Sequence, residues 1–128
     1  MKPEQYFKNG KAYVWKETFA IVKARKIIPY AFAVIQDKNE ITVIIDQNKI
    51  KKSDFTEINK DWKLITFDMV LPFSLIGFLA KVSKAMEDEK ITVIVVSAYS
   101  TDHVLVKKKD ISKAIKKLKK LGLVVKTK

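Results

Sequence analysis

Residues 91–107 read ITVIVVSAYSTDHVLVK and decide the fold. Two apolar, β-branched runs (91–96 and 104–106) are joined by a short polar turn, which predicts an antiparallel hairpin. Both faces of the first run are apolar, a pattern typical of strands that are covered on both sides. We therefore expect the N-terminal strands or a second subunit to cover this hairpin.

The segments on either side of the hairpin complete a regular order of elements. WKLITFDM (62–69) has the composition of a strand, and Ser74 is placed to cap a helix running to about Glu87. Asp110 precedes a helical apolar stripe that ends at Gly122, and a short strand follows. The order β-α-β-β-α-β predicts an α+β, ferredoxin-like unit with an antiparallel sheet.

The N-terminal half is less regular. Residues 17–24, 30–36 and 40–46 have strand composition, and residues 47–61 form a polar, lysine-rich segment. The sequence therefore predicts an incomplete N-terminal unit over residues 1–60 and a complete C-terminal unit over residues 61–128.

Composition and charge limit the class of protein. Cysteine is absent, which excludes disulfides and thiolate metal sites, and we expect a cytoplasmic protein without a membrane segment. The net charge is +12, and residues 107–128 hold ten lysines against one acid, a local charge of +9. Arg25 is the only arginine, whereas phosphate and base recognition favour arginine. Binding of nucleic acid or another polyanion stays open as an alternative.

No group of residues predicts catalysis, a metal site or a cofactor. Ser74 and Ser97 lack the glycine-flanked elbow of a serine hydrolase, and His103, the only histidine, has no partner at metal-ligand spacing. We expect His103 to be solvent-facing or hydrogen-bonded. Three glycines are too few for a phosphate loop, and the predicted central strands lack the aromatic pairs that stack RNA bases. The sequence predicts a protein that is not an enzyme.

Two segments carry the binding hypothesis: the strand-to-helix loop PFSLIGFLA (72–80) and the hairpin turn at 97–102. A carboxylate is favoured at a helix N-terminus, and Asp102 offers an acceptor for an ammonium group. Asp102 can equally serve as a turn residue that bonds backbone N–H groups. Gly77 interrupts the predicted helix and indicates either close approach of a ligand or partner, or tight helix-to-sheet packing.

The strand 62–69, the FSLIGFLA segment (73–80) and the hairpin SAYSTDHVLV (97–106) resemble the ACT-domain family, in particular small two-unit ACT proteins related to the eukaryotic arginine sensors. The resemblance covers about residues 12–122. It implies two ACT-like units, the first incomplete, in a regulatory homodimer that binds an amino acid or similar small effector at the interface of ACT units. An interaction scaffold with a decayed ligand site is a further alternative, because Pro72 departs from the family pattern.

Carried over by position, the resemblance implies a ligand-binding set from the loop and the hairpin. Its members are Phe73, Ser74, Leu75, Ile76, Gly77, Ser97, Ser100, Thr101 and Asp102.

Overall fold

The computed structural model describes residues 2–128, which contain three α-helices and eight strands. In chain order they are α1 (Glu4–Phe7), β1 (Lys11–Val14), β2 (Phe19–Ala24), β3 (Ala33–Gln36), β4 (Ile41–Asp46), β5 (Phe55–Phe67), α2 (Phe78–Asp88), β6 (Val93–Ser97), β7 (Asp102–Lys107), α3 (Ile111–Lys120) and β8 (Val124–Thr127).

The chain forms two compact units. Unit 1 contains residues 2–16 and 63–128, and unit 2 contains residues 17–62. This division differs from the two contiguous halves expected from the sequence, because β1 takes its hydrogen-bonding partners from the C-terminal part of the chain. The first strand of the chain is therefore part of unit 1.

The sheet of unit 1 has the strand order β8-β1-β5-β7-β6. In it, β1 pairs antiparallel with the end of β5, where Ala12 lies opposite Phe67, and parallel with β8, where Ala12 lies opposite Val125. From β5 to β8 the elements follow the predicted β-α-β-β-α-β order, so the ferredoxin-like fold class is confirmed. The inserted strand β1 was not predicted.

Two helices cover the core of unit 1. The buried residues of α2 include Val82 and Met86, and those of α3 are Ala114 and Leu118, as the apolar stripes predicted. These side chains belong to one cluster with Phe67 of β5. At about 25 cal/mol per Å² of apolar surface, burial of this kind is the main term that holds the unit together.

The start of α2 was predicted wrongly. The helix begins at Phe78 rather than near Ser74, because the chain makes a separate turn in which the Leu75 N–H donates to the Pro72 carbonyl at 3.0 Å. Phe78 is buried, and its ring stacks on that of Phe7 with centroids 4.8 Å apart. The short helix α1 thus helps to cover the beginning of α2.

Unit 2 is a four-stranded sheet without an α-helix among its residues. Its order is β3-β4-β2-β5, and every neighbouring pair is antiparallel. This is the order of a ferredoxin-like sheet, but loops and short 3₁₀ turns stand where the two helices would be. Apolar side chains from those connections, Ile28 and Ile50, lie against the buried face of the sheet beside Val22, Val43 and Ile45. The polar segment 47–61 contains the beginning of β5, which the sequence did not predict.

The strand β6 does not have the burial that its composition predicted. It pairs with β7, and no other pairing is described for it. Its residues are half-buried or exposed, with 39% of Val95 exposed. The apolar pattern therefore belongs to an edge strand of unit 1.

Among residues 2–128, no helix has the length and apolar character needed to cross a membrane.

Candidate functional site

The loop before α2 and the turn between β6 and β7 lie together in unit 1. The Leu71 N–H donates to the Ser100 carbonyl at 2.7 Å, which joins the two segments through the backbone. The rings of Phe73 and Tyr99 meet edge to face with centroids 4.9 Å apart. Segments separated by about twenty residues of sequence thus form one side of the unit, as the binding hypothesis required.

The two segments and the first turn of α2 line a cavity of about 330 Å³ that is open to solvent. Its lining contains one charged side chain, three hydroxyls besides that of Tyr99, and mainly apolar groups. The lining residues are Leu71, Pro72, Phe73, Leu75, Gly77, Phe78, Leu79, Ala80, Ser97, Ala98, Tyr99, Ser100, Thr101 and Asp102.

Seven of the nine residues in the predicted ligand-binding set line this cavity, and Ser74 and Ile76 do not. Ser74 is exposed and lies outside the helix that it was expected to cap, and Ile76 is 80% exposed. Sequence reasoning missed the contribution of Leu79 and Ala80, which form the helical turn directly after Gly77. Their place in the sequence, directly after the loop, could have predicted this contribution. The first turn of a helix lies next to the loop that leads into it, so both can line the same cavity.

Gly77 occupies the N-cap of α2 rather than its interior. Its φ is +88° and its ψ is 3°, a left-handed conformation that glycine adopts at little cost. A Cβ built on Gly77 would lie 3.6 Å from Cγ of Pro3, which is ordinary contact. The conformation, and not a lack of space, therefore explains the glycine.

The first turn of α2 borders the cavity. The hydrogen-bond ladder of the helix starts with the Lys81 N–H, which donates to the Gly77 carbonyl at 3.1 Å. The N–H groups of Phe78, Leu79 and Ala80 have no acceptor within the helix, and the N-cap supplies no side chain. Such groups favour an anion at this position.

Asp102 is the one charged residue of the lining. It is half-buried, and among residues 2–128 its carboxylate takes part in no hydrogen bond or ion pair. Asp37 in the β3–β4 turn behaves differently: it accepts hydrogen bonds from the N–H groups of Asn39 and Glu40, both at 2.8 Å. Those bonds lower the pKa of Asp37. Asp37 is therefore a turn residue, whereas the Asp102 carboxylate is not used by its own turn.

The His103 side chain is buried and hydrogen-bonded. Its Nδ1 lies 2.8 Å from Oγ1 of Thr66, which accepts a hydrogen bond from Nε1 of Trp15 at 2.7 Å. Burial lowers the pKa of His103. In the described part of the chain, no group of three or more potential ligands could hold a metal ion. His103 is thus hydrogen-bonded, one of the two environments predicted for it.

A protein-family model described as "ACT domain" matches residues 57–120. The chain belongs to the ACT domain family. The match begins within β5 and ends at the last residue of α3, so it contains the loop, the helix N-terminus and the hairpin that form the cavity. The family predicted from the loop and hairpin motifs is confirmed.

Solved structures show the same fold at low identity. A protein from Agrobacterium tumefaciens has a TM-score of 0.79 and 20% identity over 94% of each chain. A Vibrio cholerae protein of unknown function has a TM-score of 0.74 and 15% identity, over 90% of this ACT protein and 91% of that chain. The regulatory subunit of aspartate kinase from Thermus thermophilus has a TM-score of 0.68 and 8% identity, over 86% of this ACT protein and 95% of that chain. A search of curated proteins finds no significant match.

Proposed function

We propose that this ACT protein is a non-enzymatic regulatory module that binds an amino acid, or a similar small zwitterion, in the cavity of unit 1. One observation carries the proposal: the cavity lining contains both Asp102, whose carboxylate has no hydrogen bond or ion pair among the described residues, and the first turn of α2, whose backbone N–H groups have no acceptor within the helix. The similarity to a regulatory subunit of aspartate kinase agrees with a regulatory role.

The proposed binding mode uses the two charges of an amino acid. The ammonium group bonds the Asp102 carboxylate, and the carboxylate accepts from the N–H groups at the beginning of α2, where the helix dipole favours a negative charge. Ser97, Ser100 and Thr101 supply hydroxyls around the ligand. Phe73, Leu75 and Gly77 complete the proposed set, from which we leave out Ser74 and Ile76.

A thermal-shift screen of the twenty amino acids tests this function. A ligand present at 100 times its Kd adds about 2.7 kcal/mol to the stability of the folded protein. We expect Asp102→Asn to reduce the shift while the protein stays folded, since Asp102 makes no bond within its own turn. Glu87→Gln is the matched control, because it removes one exposed charge from the other end of α2. The absence of a shift with every amino acid would contradict the proposed function.

We also propose that the protein is a homodimer, and the open edge of β6 supports this. The strand VIVVS carries no charge or proline that would block pairing with another strand. Val95→Lys places a charge on that edge and should lower the mass measured by light scattering from dimer to monomer. A dimer that persists in this variant would place the interface elsewhere.

We also propose that the chain is related to the small two-unit ACT proteins that resemble the eukaryotic arginine sensors. We propose further that its N-terminal half is an incomplete ACT-like unit and that the protein is cytoplasmic. The open cavity favours binding over a scaffold with a decayed site. Imaging of a fluorescently tagged chain tests the location.

The lysines of α3 support polyanion binding as a second candidate function. Lys116, Lys119 and Lys120 are exposed and form no ion pair among the described residues. Fluorescence anisotropy with labelled RNA and DNA tests this function. Tight retention that weakens as salt rises, together with silence in the amino-acid screen, would favour it.

A further inference from the structure

The cavity of unit 1 has an unusual charge for this protein. The chain contains 26 lysines and arginines, yet none of them lines the cavity. The lining holds a single carboxylate, that of Asp102, and no base. A protein with a net charge of +12 therefore has, beside the beginning of α2, a recess whose charged side chain is negative.

The nearest basic residue of α2 is not available to the cavity. Lys81 follows the lining residue Ala80 in sequence, but it is not part of the lining. Its Nζ lies 3.0 Å from Oε1 of Glu4, which holds the ammonium in an ion pair outside the cavity. The carboxylate of an effector can therefore be met by backbone N–H groups but by no side-chain cation.

The aromatic residues of the lining also favour positive over negative groups. Phe73 and Tyr99 form an edge-to-face pair at the mouth and are 77% and 82% exposed. Aromatic ring faces attract cations and repel anions, so this pair adds to the preference set by Asp102.

From this lining we infer that the site selects its effector by charge and takes amino acids whose side chain is neutral or basic, while it excludes aspartate and glutamate. The inference rests on the proposed function. The backbone N–H groups at the beginning of α2 satisfy one carboxylate, and a second carboxylate would lie near the negative charge of Asp102 with only neutral hydroxyls and apolar groups beside it. Like charges that share a site repel each other, and the lining offers no cation to offset that repulsion.

Isothermal titration of the intact protein with two nearly isosteric pairs tests the inference. The pairs are glutamine with glutamate and asparagine with aspartate, and the other amino acids complete the panel. We expect neutral or basic members to bind and the acidic member of each pair to bind at least about tenfold more weakly, or not at all. Loss of a hydrogen bond to a charged group weakens binding about tenfold to a hundredfold, so Asp102→Asn should weaken the binding of every ligand that binds.

Asp102→Asn should also reduce the discrimination between the members of a pair, because the repelling carboxylate is gone. Glu87→Gln makes the same change of charge outside the cavity and should leave both affinity and discrimination unchanged. Binding of glutamate or aspartate within about threefold of the amide overturns the inference but leaves the proposed function standing. Failure of all twenty amino acids to bind overturns both.

Discussion

Gly77 offers the sharpest test of how α2 begins. An L-residue in the left-handed region costs about 1–2 kcal/mol. Replacement of glycine by alanine also restricts the unfolded chain, which returns about 0.4–1 kcal/mol. Because a Cβ at Gly77 meets only Cγ of Pro3 at 3.6 Å, no steric penalty is added. We therefore expect Gly77→Ala to lower the free energy of unfolding by about 1 kcal/mol and Tm by about 4 °C.

Urea denaturation of matched variants measures this effect. Gly77→Asn should cost less than Gly77→Ala, because asparagine tolerates the left-handed region better than alanine does. Gly10→Ala is the contrasting control: its Cβ would overlap the carbonyl oxygen of Tyr6, so its cost should be clearly larger. If Gly77→Ala costs about as much as Gly10→Ala, space rather than conformation explains the glycine. If Gly77→Ala stabilises the protein, the left-handed N-cap is wrong.

Three further predictions concern the interior of unit 1. Thr66→Val removes the hydroxyl between Trp15 and His103 and should cost about 1–3 kcal/mol in urea denaturation, whereas Thr66→Ser keeps the bonds and should cost less. Burial lowers the pKa of His103 in the folded protein, so neutral His103 contributes its full share of the stability above the ordinary pKa of 6.5. This contribution is lost as the pH falls below 6.5, and Tm measured against pH should show the loss. His103→Gln should make Tm depend less on pH in this range. Phe78→Ala removes the buried ring that stacks on Phe7 and should lower the free energy of unfolding by about 3–5 kcal/mol. A smaller decrease would contradict tight packing around this ring.

The sequence predicted the parts of the fold that have strong local patterns. The apolar stripes of α2 and α3 have a helical period, and two β-branched runs joined by a polar turn indicate the β6–β7 hairpin. The family resemblance supplied the expectation that the loop at 73–77 and the turn at 97–102 act together, and the structure brings most of these residues to one cavity.

The missed features are those that tertiary structure imposes on weak local patterns. Strand β1 is four residues long, and its charged and aromatic residues take a strand conformation because β5 and β8 supply partners on both sides. The beginning of β5 reads as a polar loop, since most of its side chains between Thr56 and Asp61 are exposed. The position of the α2 N-terminus depends on one dihedral angle at Gly77, which composition does not encode.

The position of β1 between β5 and β8 has a consequence for the order of assembly. The strands of unit 2 follow one another along a continuous stretch of chain, so a growing polypeptide can pair all four before α3 and β8 have been made. Unit 1 cannot close its sheet in this way, because β1 waits for β8, which lies more than a hundred residues further along the chain. Long-range pairings of this kind slow folding, and β1 stays without its second neighbour until β8 has been made.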